Sequence, residues 1–457
     1  SSAASDVYKR QEIDSSGTAT ISVTDIDNGS SDACGQVTLS ASTENFTCAD
    51  FGDNDVTLTA TDAAGNSMSC SANVNVGIAQ GALTQEAFLN PGKFQSRAHS
   101  FKEFGSKLYF AASTGNVLER ELLVFDGDSV TVAAEINPVS GSLPQYLTVF
   151  NNELYFAAAD ELANSLEIGT AHGRELWKHN GDSASIAANI NPAGSSNPQY
   201  ITEFNGKLYF SAEDDSTGIE LWEFDGTTAS IATDIRPGAR SNWTSLPPSS
   251  NPEHLTEYNG ALYFSANDGG AASIELWKYD GTDATLAADI NPTGPSYPSD
   301  MAVYDNKLYF AAEDDVHGKE LWSLDDTTLS LVADIFPGTS SSIPQGLIVY
   351  NGKLYFYADD GSSVGRELWS FDGTTVSLAA DLTSSGSSFF YTFMSVINNK
   401  LWFGVDTDST GAEMWNYNGI EAKLVADIEP GEGNSYPSPA AEFKGQTIFG
   451  AGTDSLG

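Results

Sequence analysis

Along most of the chain, short runs of alternating or wholly apolar residues are separated by Asn-Gly and Asp-Gly pairs, and the same series of runs returns roughly every 45 to 55 residues. One unit reads QYITEF from Gln199, the pair Asn205-Gly206, KLYFSAED, a short polar turn, ELWEF, the pair Asp225-Gly226, TTASIATDI, and then a longer loop. Alternation with a period of two predicts half-buried strands. Asn-Gly and Asp-Gly between such runs predict hairpins, because both central residues of a type I′ turn need positive φ. The second run, LYFSA or LYFAA, is apolar on both faces and predicts a strand central in its sheet. Four strands per unit, repeated at this period, read as the blades of a β-propeller, each burying its faces against its neighbours. The third run marks the repeat: ELW opens at Glu175, Glu220, Glu275, Glu320 and Glu367, with degenerate copies ELLVFDG from Glu121 and EMWNYNG from Glu413.

The phase of the repeat bears on closure. Seven complete units run from about His99 to Ile428, and two further runs, SPAAEF and QTIFGAG, come before Gly457. Near Leu83, ALTQEAFLNPGK has the position and ending of an outer strand without partners of its own. An eighth blade assembled from both ends satisfies them and removes exposed sheet edges. A seven-bladed ring with loose ends is the competing count.

The N-terminal part has another texture. SSAASDVYKRQ, residues 1–11, shares no pattern with the rest of the chain and is set aside as a leader foreign to the fold. From Glu12 the runs TATISV, QVTLSAS, DVTLTATD and SANVNV alternate between polar turns, the period of a small antiparallel sandwich. All three cysteines, Cys34, Cys48 and Cys70, lie here. An odd count predicts one disulfide and one cysteine without its partner, the pairing being open. The expected organisation is a leader at 1–11, an immunoglobulin-like module at 12–77, a linker and closing strand at 78–97, and the propeller at 98–457, the module cut short before its first strand and the propeller at its end.

Charge narrows the partners. With 62 acidic and 20 basic residues among 457, the net charge is −42, a field that repels nucleic-acid backbones. No run approaches the length of apolar residues that a membrane span requires, so no membrane insertion is expected.

Two stretches resemble known families. DIDNGSSDACG and FTCADFGDNDVTLTATDAAGNSMSC resemble the immunoglobulin-like hyalin-repeat modules of bacterial surface proteins, where a further cysteine usually precedes the first strand. From Asn90 to Gly457, with LYFSAEDDSTGIELWEFDGTT and ADINPTG, the chain resembles the bacterial surface proteins named for their ELWxxDGT repeat. The resemblance implies an exported, extracellular or cell-surface piece of a larger multidomain chain. It implies no activity.

Candidate chemistry falls on one face. The tight turns occupy one face of the disc, while the loops between second and third strands and those between blades occupy the other. Length variation, at 159–174 and 236–252, falls on the second, as on the binding faces of many repeat proteins. Acidic turns lie there too: Asp214 and Asp215 after Glu213, Asp314 and Asp315 after Glu313, Asp359 with Asp360, and Asp406 with Asp408. Such carboxylates suit Ca²⁺ as hard oxygen ligands, and equally cap their own turns. No cofactor is required by any motif. Trp243, Tyr297, Phe389, Phe390, Tyr391 and Tyr436 in the connecting loops are candidate stacking residues or lids over the blade cores. The repeated glutamates read as structural, since a residue present in every blade serves the blade. His172 and His317 share a repeat position filled elsewhere by Thr217, Val364 and Thr410, and read as loop residues. No nucleophile elbow, zinc-binding helix, P-loop or dinucleotide fingerprint occurs. The expected role is a non-enzymatic adhesion module that binds a protein or glycan surface partner. A carbohydrate-binding or carbohydrate-active propeller and a structural spacer are the alternatives.

Overall fold

The computed structural model describes residues 8–13, 18–32, 35–47, 52–78, 97–113, 120–137, 140–160, 172–238, 247–270, 274–362, 365–382, 389–407, 409–429 and 433–452. They belong to two compact units, Ser1–Glu86 and Ala87–Gly457.

In the first unit, Gly52–Thr61 and Ser67–Ile78 form a long hairpin. Its turn is made by Asp62, whose carboxylate accepts the Ala64 and Asn66 amides at 2.9 and 2.8 Å. Gly65, at φ +86°, supplies the left-handed residue. Thr38–Ala41 joins one edge, and Thr18–Thr20 pairs with Asn45–Thr47 in a second small sheet. Alternate residues Val56, Leu58, Ala72 and Val74 meet Ile21, Ile26 and Phe46 in the core. One expectation is corrected: Tyr8–Ile13 pairs in parallel with Asn73–Ile78, so part of the supposed leader belongs to the sheet. An edge strand binds through its backbone groups, which no side-chain pattern announces. Cys70 Sγ lies 3.9 Å from the Leu58 carbonyl, while Cys34 and Cys48 lie outside the described residues.

The second unit is a β-propeller. Seven four-stranded antiparallel sheets span 99–134, 145–188, 199–233, 253–288, 299–333, 345–380 and 389–424. Among the described residues one further sheet, Ala441–Phe443 with Gln446–Ile448, has two strands. The first strand of each blade touches the first strand of the next. Ala441–Phe443 continues the series between the seventh blade and His99–Phe104 of the first. Eight blade positions therefore close the ring. Phe443 packs with Phe110, Leu123 and Phe125, and Lys444 donates to the Asp126 carbonyl. The expected outer strand near Leu83 lies outside the described residues.

The repeat motif is explained residue by residue. The Leu and Phe of the second strand are buried, and its Tyr packs on an aromatic ring of the next blade: Tyr155 on Phe224 at 5.6 Å, Tyr209 on Tyr279 at 5.5 Å, Tyr355 on Tyr417 at 5.7 Å. Trp222 and Trp322 lie in cores shared with the preceding blade. Asn205 and Gly206 both have positive φ, as a type I′ turn requires. The Asp-Gly pairs differ, since only the glycine is left-handed, Gly226 at φ +99°. Asp225 instead accepts the Thr227 and Thr228 amides and the Thr227 hydroxyl, which accounts for the threonine after Asp-Gly.

The motif glutamates are buried latches. Glu175 accepts the Ser196 hydroxyl at 2.6 Å and amide at 2.9 Å, and the Ile190 amide at 2.8 Å. Glu121 with Ser142, Glu220 with Ser250, Glu275 with Ser296, Glu320 with Ser342 and Glu413 with Ser435 repeat the arrangement. Each ties the third strand of one blade to the loop that delivers the first strand of the next. Buried polar groups need such partners, and here one carboxylate satisfies several loop donors at once.

A candidate ligand site in the central channel

The first strands, in mutual contact round the ring, line the axis. Two positions before the first strand of each of the first six blades stands a residue in the left-handed region, Arg97, Leu143, Asn197, Asn251, Tyr297 and Ile343, and a second left-handed residue follows three positions on. The second set is Ser100, Tyr146, Tyr200, His254, Asp300 and Gly346, at φ between 51° and 66°. At each of these points the pairing with the second strand slips, as between Gln199 and Thr202, which marks a bulge. Non-glycine residues adopt this backbone at a cost. The first-strand bulge re-aims one side chain per blade, and it is here that the repeat changes its chemistry from blade to blade.

Tyr146, Tyr200, His254, Asp300 and Gly346 line a cavity of about 440 Å³ together with the residues next to them on their strands. The Tyr146 and Tyr200 rings lie 5.5 Å apart, and Tyr200 and His254 5.3 Å apart. Asp300 accepts the Gly346 amide at 2.9 Å. Two phenols, an imidazole, a carboxylate and a bare backbone thus succeed one another round the axis. Burial pushes the Tyr200 hydroxyl up to about 12, so it stays a neutral donor. Burial also lowers the His254 imidazole, against the opposing pull of Asp300 and Glu253.

A cationic layer lies behind the ring. Arg174 crosses its blade to donate to the Leu143 carbonyl at 2.8 Å and the Gln145 amide oxygen at 3.0 Å. Lys319 and Arg366 likewise reach the carbonyls of Tyr297, at 3.1 Å, and Ile343, at 2.5 Å. All three stand immediately before a motif glutamate, and Arg174 and Arg366 open the third strand itself. Of 20 basic residues in a chain of net charge −42, these gather about the axis.

Among the described residues, those expected to bind ligand or metal make local bonds or stand exposed. Trp243 and Asp408 lie outside the described residues, as do the side chains of Phe389, Phe390 and Tyr391. Tyr297 and Tyr436 are exposed and precede prolines at one repeat position, where Leu143, Asn197, Asn251 and Ile343 stand in other blades. That position tolerates residues unable to stack. The acidic turns hold their own loops: Asp214 accepts from Ser216 and Thr217, Asp314 from Val316 and His317, Asp359 from Gly361 and Asp360 from Ser362. Asp315 accepts from Asn291 and Thr293, and Asp215 and Asp406 are also engaged. Among the described residues no three His, Cys, Asp or Glu side chains are placed to hold a metal ion. His172 and His317 pair with Asp160 at 2.7 Å and Asp314 at 2.9 Å. Periodicity and composition single out neither His254 nor the rest of the ring. The only signal was a variable column inside an otherwise repeated first strand.

No family model matches the sequence, and no curated protein does. Solved structures of similar fold include the β-propeller domain of the Trilobed protease from Pyrococcus furiosus, at 10% identity and TM-score 0.45, covering 74% of this chain and 100% of that one. A puromycin-hydrolysing peptidase of Mycobacterium tuberculosis matches at 10% identity and TM-score 0.46, over 80% of this chain and 59% of that one. Oligopeptidase B from Trypanosoma brucei matches at 8% identity and TM-score 0.47, over 79% and 53%. This chain spans between half and three fifths of those two peptidases. The expected role in surface adhesion, with its glycan and spacer alternatives, is corrected: the solved structures of similar fold named above are two peptidases and the propeller domain of a protease. What the likeness shows is a β-propeller.

Proposed function

We propose that the propeller is a binding domain without catalysis of its own, which holds an extended peptide in its central channel. The observation that carries this reading is the ring of Tyr146, Tyr200, His254, Asp300 and Gly346, where a repeat otherwise kept for packing varies its chemistry at one position per blade. The chemistry fits a peptide. Phenol faces take apolar side chains, the carboxylate and imidazole meet amide N–H groups, and Gly346 leaves backbone open to approach.

Titration calorimetry of the whole chain with N-acetyl-Ala-Ala-Phe-amide tests it. Binding is expected, and Tyr200→Ala is expected to weaken it about tenfold by removing one stacking face. Absence of binding, or equal affinity in the variant with its melting temperature unchanged, refutes the assignment of the channel.

A further inference from the structure

The channel wall of the first blade carries positive charge that nothing among the described residues offsets. Arg120 opens the third strand of that blade, opposite Ser113, and its guanidinium lies 3.4 Å from His99 Nε2. Its Nε is buried and has no acceptor among the described residues. His99 Nδ1 in turn lies 2.9 Å from the hydroxyl of Ser100, which holds in the first blade the bulge position that Tyr146 and Tyr200 hold in the next two. Burial, with Arg120 and Arg174 nearby, holds the His99 imidazole down to about 4, so it is neutral at neutral pH and adds no charge. Two more arginines stand near this pair: Arg97, exposed two residues before the first strand, and Arg174, which opens the third strand of the second blade. Among the described residues none of these three arginines forms an ion pair with a carboxylate.

That arrangement runs against composition. Acidic residues outnumber basic ones 62 to 20, yet among the described residues these arginines pair with no acid. A partly buried guanidinium with an unused donor is costly in the free protein, and a bound anion recovers that cost through charge-assisted hydrogen bonds. Arginine presents its donors in a planar fork that matches a carboxylate. A dianion such as a phosphate monoester meets greater repulsion from the −42 chain than a single carboxylate does.

We propose that this wall, with Arg120 as its main donor, binds the terminal carboxylate of the peptide held in the channel. The proposal rests on the channel reading and adds a polarity to it: the peptide enters with its C-terminus at the first blade. Arg120 then trades stability for recognition.

The experiment compares N-acetyl-Ala-Ala-Phe as the free acid and as the amide, on the whole chain. The free acid is expected to bind about tenfold more tightly, the worth of one charged hydrogen-bonded contact. Arg120→Met is expected to bring the two ligands to equal affinity, leave the amide's affinity unchanged and keep or raise the melting temperature. Arg120→Lys, which retains charge without the fork, is expected to keep part of the preference. Equal binding of acid and amide to the unaltered chain overturns this proposal and leaves the channel reading standing, as does a preference that survives in Arg120→Met. Failure of both ligands to bind removes the two together. Loss of folding in Arg120→Met transfers the decision to Arg120→Lys, where an undiminished preference overturns the proposal.

Discussion

Replacing Glu220 by alanine is expected to remove about 3–5 kcal/mol of stability, the range for a buried charged partner withdrawn from groups that stay buried. Glu220 is fully buried. It accepts the Ser250 hydroxyl, the Ser250 amide at 2.8 Å and the Ile235 amide at 3.0 Å. Without the carboxylate, the Ser250 hydroxyl and the Ile235 amide in the loop between the third and fourth blades lose their acceptor, while the Ser250 amide keeps the Ile219 carbonyl at 3.0 Å. Each unsatisfied buried donor costs about 1–3 kcal/mol before relaxation. Glu220→Gln keeps one carbonyl oxygen and offers an amide that the Ser250 hydroxyl can meet by turning, so about 1–2 kcal/mol is expected. Ser250→Ala belongs in the same range. Equilibrium denaturation in urea measures all three. A loss below about 1 kcal/mol for Glu220→Ala would mean that water satisfies the loop, and that inter-blade packing alone sets its path.

Stability is expected to rise as the solution is acidified from pH 8 to pH 5. Burial pushes the latch carboxyls of Glu175, Glu220, Glu275 and Glu413 up to about 7, against the pull of the serine hydroxyls and loop amides. Glu121 and Glu320 move the same way. The folded chain therefore holds these protons more tightly than the unfolded chain, in which glutamate titrates near 4.5. Stability from this source is greatest below the unfolded value, declines as pH rises to about 7, and changes no further above it. Each pKa unit corresponds to about 1.4 kcal/mol, so four groups together make the effect several kcal/mol even when the donors hold each shift to one unit. The acid limit has another origin. The Thr hydroxyls and amides of the Asp-Gly-Thr turns hold Asp225, Asp280 and Asp372 down to about 2. Their contribution is present above the unfolded value of 3.8 and is lost as pH falls through about 2. The two effects together place the maximum near pH 4, about where the unfolded glutamates and aspartates titrate, at 4.5 and 3.8. Melting temperatures across pH 4 to 8 at constant high salt measure it, the salt suppressing the general repulsion of a chain at −42. A flat profile, or one that rises toward pH 8, would show that the latch carboxylates stay ionised in the fold. Glu220→Gln should flatten the slope by one group's share.

Legibility in the sequence tracked the range of the interactions. The strands, their order and the central place of LYF could be read because alternation and turn chemistry act within a few residues: Asn205-Gly206 forms its turn with no help from the rest of the chain. The structural role of the motif glutamates was legible from their repetition, but not the serines that complete them, since Ser250 stands 30 residues beyond Glu220 in a loop without regular pattern. The parallel edge strand at Tyr8–Ile13 was missed because backbone pairing leaves no periodic trace. Composition stands out in the loop aromatics and acidic turns. The structure turns those carboxylates to local bonds, and the more varied chemistry lies on strands that read as packing.

By itself the sequence determined a β-propeller of four-stranded blades that follows a smaller β-unit along the chain, because each blade repeats its period, its turns and its buried faces in one short segment. Only the tertiary structure decided how the ring closes, with Phe443 set beside Phe125 from the far end of the propeller. It alone also decided which side chains meet at the axis. Tyr146, Tyr200, His254 and Asp300 stand about fifty residues apart in the chain, and only the packing of consecutive first strands, each bulged at the same point, brings them round one cavity.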